Sequence, residues 1–168
     1  RMLEAQALAL ALTPAAAVQR APDIEAAIGE LGPCIDALGR LLSKDTEHGP
    51  AAIIQAACYR VRAALRVASQ KPADAEKDAD KAIAILEPLS KSEHYKTNLA
   101  MKAAIAEARI VKGAGALSSA SPGVLPRALV EGFGELRELI AVNRENAQLR
   151  ARYLQLWRAT LAAIAATN

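Results

Sequence analysis

Few residues in this chain could do chemistry. Its two histidines, His48 and His94, each follow a glutamate, Glu47 and Glu93. An imidazole beside a carboxylate can ligate zinc or move a proton, but a zinc site needs its ligands within about 2.0–2.2 Å of one ion. Corners of successive helical units are spaced by two helix diameters, roughly 20 Å. The plainer reading is a pair of acids favoured by the positive end of a helix, with exposed imidazoles beside them. Cys34 and Cys58 form no C-x-x-C and no metal-ligand cluster. Both fall within apolar helical patterns and are expected as buried thiols that pack as small hydrophobes. A single disulfide between neighbouring helices is the alternative.

The stretch Gly113-Ala114-Gly115-Ala116 follows a helical pattern rather than a strand, so it is no dinucleotide-binding loop. Neither G-x-S-x-G nor H-E-x-x-H occurs. Glu76 and Asp78 read as carboxylates solvating an exposed helical face. Tyr153 and Trp157, four apart on one stripe, read as core packing rather than a ligand-stacking platform, because few other large residues could fill that space. No catalytic residue, metal or cofactor is expected, and the chain is not expected to be an enzyme.

What must position these residues is helix. Ala supplies 40 of the 168 positions and Leu 21, aromatics are 3%, and β-branched residues are few. Ala and Leu are strong helix formers, whereas sheets draw on β-branched and aromatic side chains. A hydrophobic share of 52% with a net charge of +3 describes a globular chain of one domain, residues 1–168, and excludes disordered, collagen-like and all-β classes. No apolar run is long enough to cross a membrane. Ala7 to Ala17 loosely resembles the tail of a secretory signal, but Glu4 stands where basic residues belong, and the segment is read as a folded helix. The chain reads as a piece of a longer protein or a processed form, with the cytoplasm as the favoured setting.

Apolar spacing of three and four marks about seven amphipathic segments. The first runs from Met2 to about Val18. The second carries Ile24, Ile28, Leu31, Ile35, Leu38 and Leu42, with Asp23 as cap and a kink or split at Gly32-Pro33. The third carries Ile54, Val61 and Leu65, with Pro50 in its first turn. The fourth has Ala75, Ala79, Ala82, Leu86 and Leu89, capped by Asp74. The fifth has Leu99, Ala106 and Ile110 and should end near Gly113, ahead of a mobile Gly/Ser loop to Gly123. The sixth has Leu129, Phe133 and Leu136. The seventh has Leu149, Tyr153, Trp157 and Leu161, with Asn143 as its cap.

These segments repeat. Leu42-Ser43-Lys44 recurs as Leu89-Ser90-Lys91, and Glu47-His48 recurs as Glu93-His94, at offsets of 47 and 46 residues. Each time an acidic helix precedes and a basic, Ala-rich helix follows. The run Ala75-x-x-x-Ala79-x-x-Ala82-Ile83-x-Ile85-x-x-Pro88 resembles the second helix of a tetratricopeptide repeat and its exit, with Ala79 where that family has an aromatic residue. Leu139 to Asn146 looks like the same exit. Tyr153, Leu154 and Trp157 fall near the large, small and aromatic positions of a following first helix. The resemblance covers roughly residues 50 to 166. It implies an all-α fold of stacked antiparallel helical hairpins, an α-solenoid whose first helices line a concave face that binds peptide segments.

Charge follows the same alternation. The segment from Pro50 to Pro72 holds Arg60, Arg62, Arg66 and Lys71 and no acid, while Asp74 to Lys91 holds five acids and three bases. The later segments continue in turn: basic from Tyr95 to Gly113, acidic from Val124 to Val142, and basic again from Arg144. One reading is that opposite signs simply help neighbouring helices pair. The functional reading is a basic concave face for an acidic protein or peptide, or for another domain of the same chain, contacted by Arg60, Arg66, Arg109, Arg150 and Arg158. Nucleic acid is the weaker option, because the net charge is modest and few aromatics interleave the arginines. The expected function is thus a protein–protein interaction or scaffolding module. The alternative is a closed helical bundle serving as a structural subunit of a larger assembly.

Overall fold

The computed structural model describes residues 21–121 and 123–167, so the segment expected at Met2 to Val18 lies outside the described residues. Among the described residues there are six α-helices and no strand. They are α1 (Ala21–Leu42), α2 (Gly49–Ala68), α3 (Pro72–Lys91), α4 (Leu99–Ala116), α5 (Arg127–Val142) and α6 (Ala147–Thr167), with one 3₁₀ turn at Leu117–Ser119.

Local chemistry sets most helix starts. His48 Nδ1 accepts from the backbone N–H of Ala51 at 3.1 Å, and Pro50 sits in the first turn of α2. Asn98 Oδ1 accepts from Met101 N at 3.0 Å and opens α4. Each side chain satisfies one of the orphan donors at a helix N-terminus. Three expected boundaries move. The cap of α3 is Lys71, with Pro72 at the first position and Asp74 inside the first turn. The cap of α6 is Asn146, whose Oδ1 accepts from Leu149 N at 2.9 Å, while Asn143 closes α5 instead. Helix α1 runs unbroken through Pro33.

The turn between α2 and α3 is held by two crossed bonds. Lys71 N donates to Arg66 O at 2.8 Å and Gln70 N to Val67 O at 3.0 Å. This is a Schellman closure. It puts Gln70 at a φ of 56°, the one described non-glycine residue in the left-handed region. A side chain there costs about 1–2 kcal/mol that glycine avoids. Gln70→Gly should therefore raise unfolding stability by about 0.5–1 kcal/mol, and urea titration measures it. A loss of stability would show that the Gln70 side chain, not the turn, governs this position.

Each helix packs on the next in sequence, and α2 also packs on α4. The two helices that follow the Leu-Ser-Lys boundaries therefore lie side by side. Their preceding loops touch as well: Tyr95 Oη accepts from Gly49 N at 3.2 Å, and the hydroxyl reaches Glu47 O at 3.2 Å. The two Glu-His corners are thus neighbours, much closer than a 20 Å spacing.

The core has two main parts, with α4 between them. Met101, Ile105 and Ala108 face Ala52, Ala56, Ala82, Leu86 and Leu89 of α2 and α3. Ala106 and Ile110 face Leu129, Phe133 and Leu136 of α5 and Leu149 and Leu156 of α6. Ala63, Ala64, Ala75, Ala79 and Val111 form a small-residue seam where α2, α3 and α4 meet. Small side chains at a contact shorten the distance between helix axes.

The same physics explains why α4 does not stop at Gly113. It continues to Ala116, and Gly113, Ala114 and Gly115 are buried inside it. A Cβ on Gly113 would lie 2.6 Å from Leu129 Cβ and 2.7 Å from Leu129 Cα. This glycine is therefore a helix–helix contact rather than a helix end.

Candidate functional site

The alternating charge is joined across the helices. Asp78 on α3 is 1% exposed. Arg62 of α2 grips both its oxygens, Nε to Oδ2 at 2.7 Å and Nη2 to Oδ1 at 2.8 Å. Arg66, one turn on, adds Nη1 to Oδ2 at 2.7 Å and donates to Asp74 O at 3.2 Å. Asp78 is therefore not a solvating carboxylate but the anchor of the α2–α3 seam. Its hydrogen bond to Arg62, ahead of the burial that opposes it, raises the guanidinium above its ordinary pKa.

Helices α3, α4 and α5 are tied the same way. Lys112 of α4 reaches Asp80 at 2.8 Å and Glu76 at 3.3 Å on α3. The hydrogen bond to Asp80 is the main reason its ammonium is held above the usual lysine range. Arg109 bridges two acidic helices, pairing with Glu87 of α3 and Glu135 of α5.

A third set lies deeper. Arg60 of α2 and Glu107 of α4 are 3% and 2% exposed, with Nη1 and Oε2 2.9 Å apart. Arg152 of α6 pairs with the other oxygen of Glu107. One buried carboxylate thus joins three helices.

Of the five arginines expected to meet a partner, the structure places three in internal pairs. Arg60 is buried against Glu107, while Arg66 and Arg109 are largely covered and bonded to Asp78 and to Glu87 and Glu135. Arg150 and Arg158 are exposed on α6, and among the described residues neither makes an ion pair. The structure does not bring the five together on one surface.

Helix α6 carries Arg150, Arg152 and Arg158 and no acid. Its inward side packs Leu149, Leu156 and Tyr153 on α4 and α5. Leu154, Trp157 and Leu161 are 50%, 40% and 48% exposed. At 100° per residue, Arg150, Leu154, Trp157 and Leu161 fall within one stripe of about 60°, with Arg158 about 40° beyond it. Trp157 is anchored at the base of this stripe, edge-on to Phe133 at 5.0 Å and stacked on Tyr153 at 6.4 Å between centroids. It is therefore both core and surface, which the expectation of simple core packing missed. The signal was available: α6 has apolar residues on too wide an arc for a helix covered on one side.

The remaining candidates resolve simply. His48 is a helix cap, His94 is exposed, and no group of three metal-ligating side chains occurs among the described residues. Cys34 is exposed and Cys58 half-buried, so the cysteines are not both core residues. Among the described residues no helix is long and apolar enough to cross a membrane. Comparison of the chain with protein-family models, with curated proteins and with solved structures finds no match.

Proposed function

We propose that this chain is a non-enzymatic protein–protein interaction module whose docking surface is the outer stripe of α6, and that its partner is an acidic, amphipathic helical segment. The observation that carries this is the pairing of three half-exposed large apolar side chains with two uncommitted arginines on a helix without a single acid. The apolar residues fit a partner's leucine-type face, read at the i, i+3, i+7 spacing of helix-in-groove recognition. The arginines fit carboxylates beside that face, bidentately where the geometry allows. The packing of each described helix on the next in sequence is consistent with the same reading. The expected set of five arginines narrows to Arg150 and Arg158, because Arg60, Arg66 and Arg109 are paired within the fold. That internal bonding also favours the competing reading, a closed bundle acting as a structural subunit.

Trp157 is the chain's only tryptophan and lies in the stripe, so its fluorescence reports binding directly. Titration with a synthetic amphipathic helix bearing Leu on one face and Glu beside it should shift Trp157 emission to the blue. Affinity should fall with added salt as the Debye length shrinks to roughly 8 Å near 0.15 M. The double variant Arg150→Glu/Arg158→Glu should weaken binding by about tenfold or more, since each exposed pair is worth up to roughly 1 kcal/mol and reversal adds repulsion. Its circular dichroism should stay unchanged. Equal binding of a Lys-bearing peptide of the same pattern, or an unaltered affinity in the double variant, would refute the docking surface.

A further inference from the structure

We infer that Cys34 and Cys58 are a built site for reversible disulfide formation, closed by exchange with a low-molecular-mass disulfide such as oxidised glutathione, and that the bridge staples α1 to α2. The two Sγ atoms are 3.5 Å apart, on adjacent helices. That separation is within a side-chain rotation of the roughly 2.05 Å of a disulfide.

The two thiols differ in access, and the difference orders the chemistry. Cys34 is exposed on the outer helix, so a dissolved disulfide reaches it first. Cys58 is half-buried beneath it. An open cleft between the two helices adjoins the pair, lined by Ile35 and Tyr59, the residues next to each cysteine, and by Asp36, Arg40 and Gln55. The Cys34 thiolate attacks one sulfur of oxidised glutathione, and the sulfur–sulfur bond of the reagent breaks. A mixed disulfide forms on Cys34, and one glutathione thiolate leaves. The Cys58 thiolate then attacks Cys34 Sγ and expels the second glutathione. Two protein thiols lose two protons and two electrons, and one disulfide is reduced to two thiols.

The bridge acts on a helix held mainly by one neighbour. Helix α1 is the outermost described helix on this side and packs mainly on α2. Its apolar hold is the cluster of Ile24, Ala27, Ile28 and Leu31 against Val61, Leu65 and Ala68, and beside it stand the Gln55 Nε2 to Ile35 O bond at 2.9 Å and an exposed Lys71–Glu25 pair. A covalent tie near the middle of α1 removes its freedom to peel from α2, and reduction restores it. This inference does not depend on the α6 docking surface, which lies on other helices.

The test uses the full chain, reduced and then held in glutathione redox buffer without denaturant. Trypsin mapping should show peptide 21–40 joined to peptide 45–60, with more than about nine-tenths of the chain bridged in excess oxidised glutathione. Cys58→Ser should stop at one glutathione on Cys34. Cys34→Ser should react at least about tenfold more slowly, because half-burial limits access to Cys58. Both variants should keep the wild-type circular dichroism spectrum. The bridged form should melt about 5–10 °C above the reduced form, as expected for a closed loop of some 25 residues. Wild type that accumulates the mixed disulfide, bridges between chains, or closes only in denaturant would overturn the inference. So would a bridged form that melts no higher than the reduced one.

Discussion

Glu107→Ala is expected to destabilise the protein by about 3–5 kcal/mol, the cost of breaking a buried ion pair by removing one partner. Glu107 is 2% exposed and faces Arg60, which is 3% exposed, with Nη1 and Oε2 2.9 Å apart. Removing the carboxylate takes from the buried Arg60 guanidinium a counter-charge 2.9 Å away. It also removes the Glu107–Arg152 pair, an ionic tie between α6 and α4. Loss should therefore exceed that of an exposed pair such as Lys77–Asp74, which solvent screens. The double variant Arg60→Met/Glu107→Leu removes both buried charges and fills the same space. It should recover most of the loss, since buried ion pairs are often replaceable by apolar residues without net cost. Denaturant titration of the three proteins separates the cases. A single variant costing less than about 1 kcal/mol would mean that water reaches Arg60, and the interior picture of this pair would fail.

That prediction also shows what could and could not be read from the residues alone. The stripes Ala75, Ala79, Ala82, Leu86, Leu89 and Leu129, Phe133, Leu136 are core, because apolar spacing of three and four dictates which side of a helix is covered. The register of the Leu-Ser-Lys and Glu-His boundaries was equally legible, and the structure sets α2 beside α4 and the two loops in contact. Asp78 was misjudged because a carboxylate suggests solvent. Yet it stands three after Ala75 and four before Ala82, on the buried stripe itself. Glu107 stands four after Ala103 and three before Ile110, on the apolar stripe of α4. An acid on an apolar stripe opposite a basic helix signals an internal pair, since burial of an unpaired charge is too costly to persist.

What spacing cannot supply is which partner atoms a long side chain reaches. Arg60 and Arg62 are two apart on one helix, and one turns to Glu107 on α4 while the other turns to Asp78 on α3. Helix direction separates them by about 200° around the axis. Only the placement of α3 and α4 around α2 then decides which acid each one finds. The division of the arginines between structure and surface follows from that packing. Arg150 and Arg158 stay outside because no further described helix covers α6.

Gly132→Val is expected to be the most damaging change at the α4–α5 contact, costing about 3 kcal/mol or more, beyond the upper end of ordinary overpacking. A Cβ at Gly132 would lie 2.6 Å from Ala106 O, 2.8 Å from Ile110 Cγ1 and 2.9 Å from Ile110 N. Two of these three atoms are backbone, so no rotamer change relieves the clash, and the helices must separate. Separation opens the cluster of Ile110, Leu129, Phe133 and Leu136 on which α6 also rests. Gly113 makes the reciprocal contact from α4 against Leu129, so the seam is close at two points. Gly134, two residues along the same helix, supplies the control, because a Cβ there meets nothing within 4 Å. Gly134→Ala should stabilise by about 0.5–1 kcal/mol through helix propensity alone. Thermal and urea unfolding should thus move in opposite directions for two glycines of one helix. If Gly132→Val unfolds within about 1 kcal/mol of wild type, the close approach of α4 and α5 is not what holds this half of the protein together.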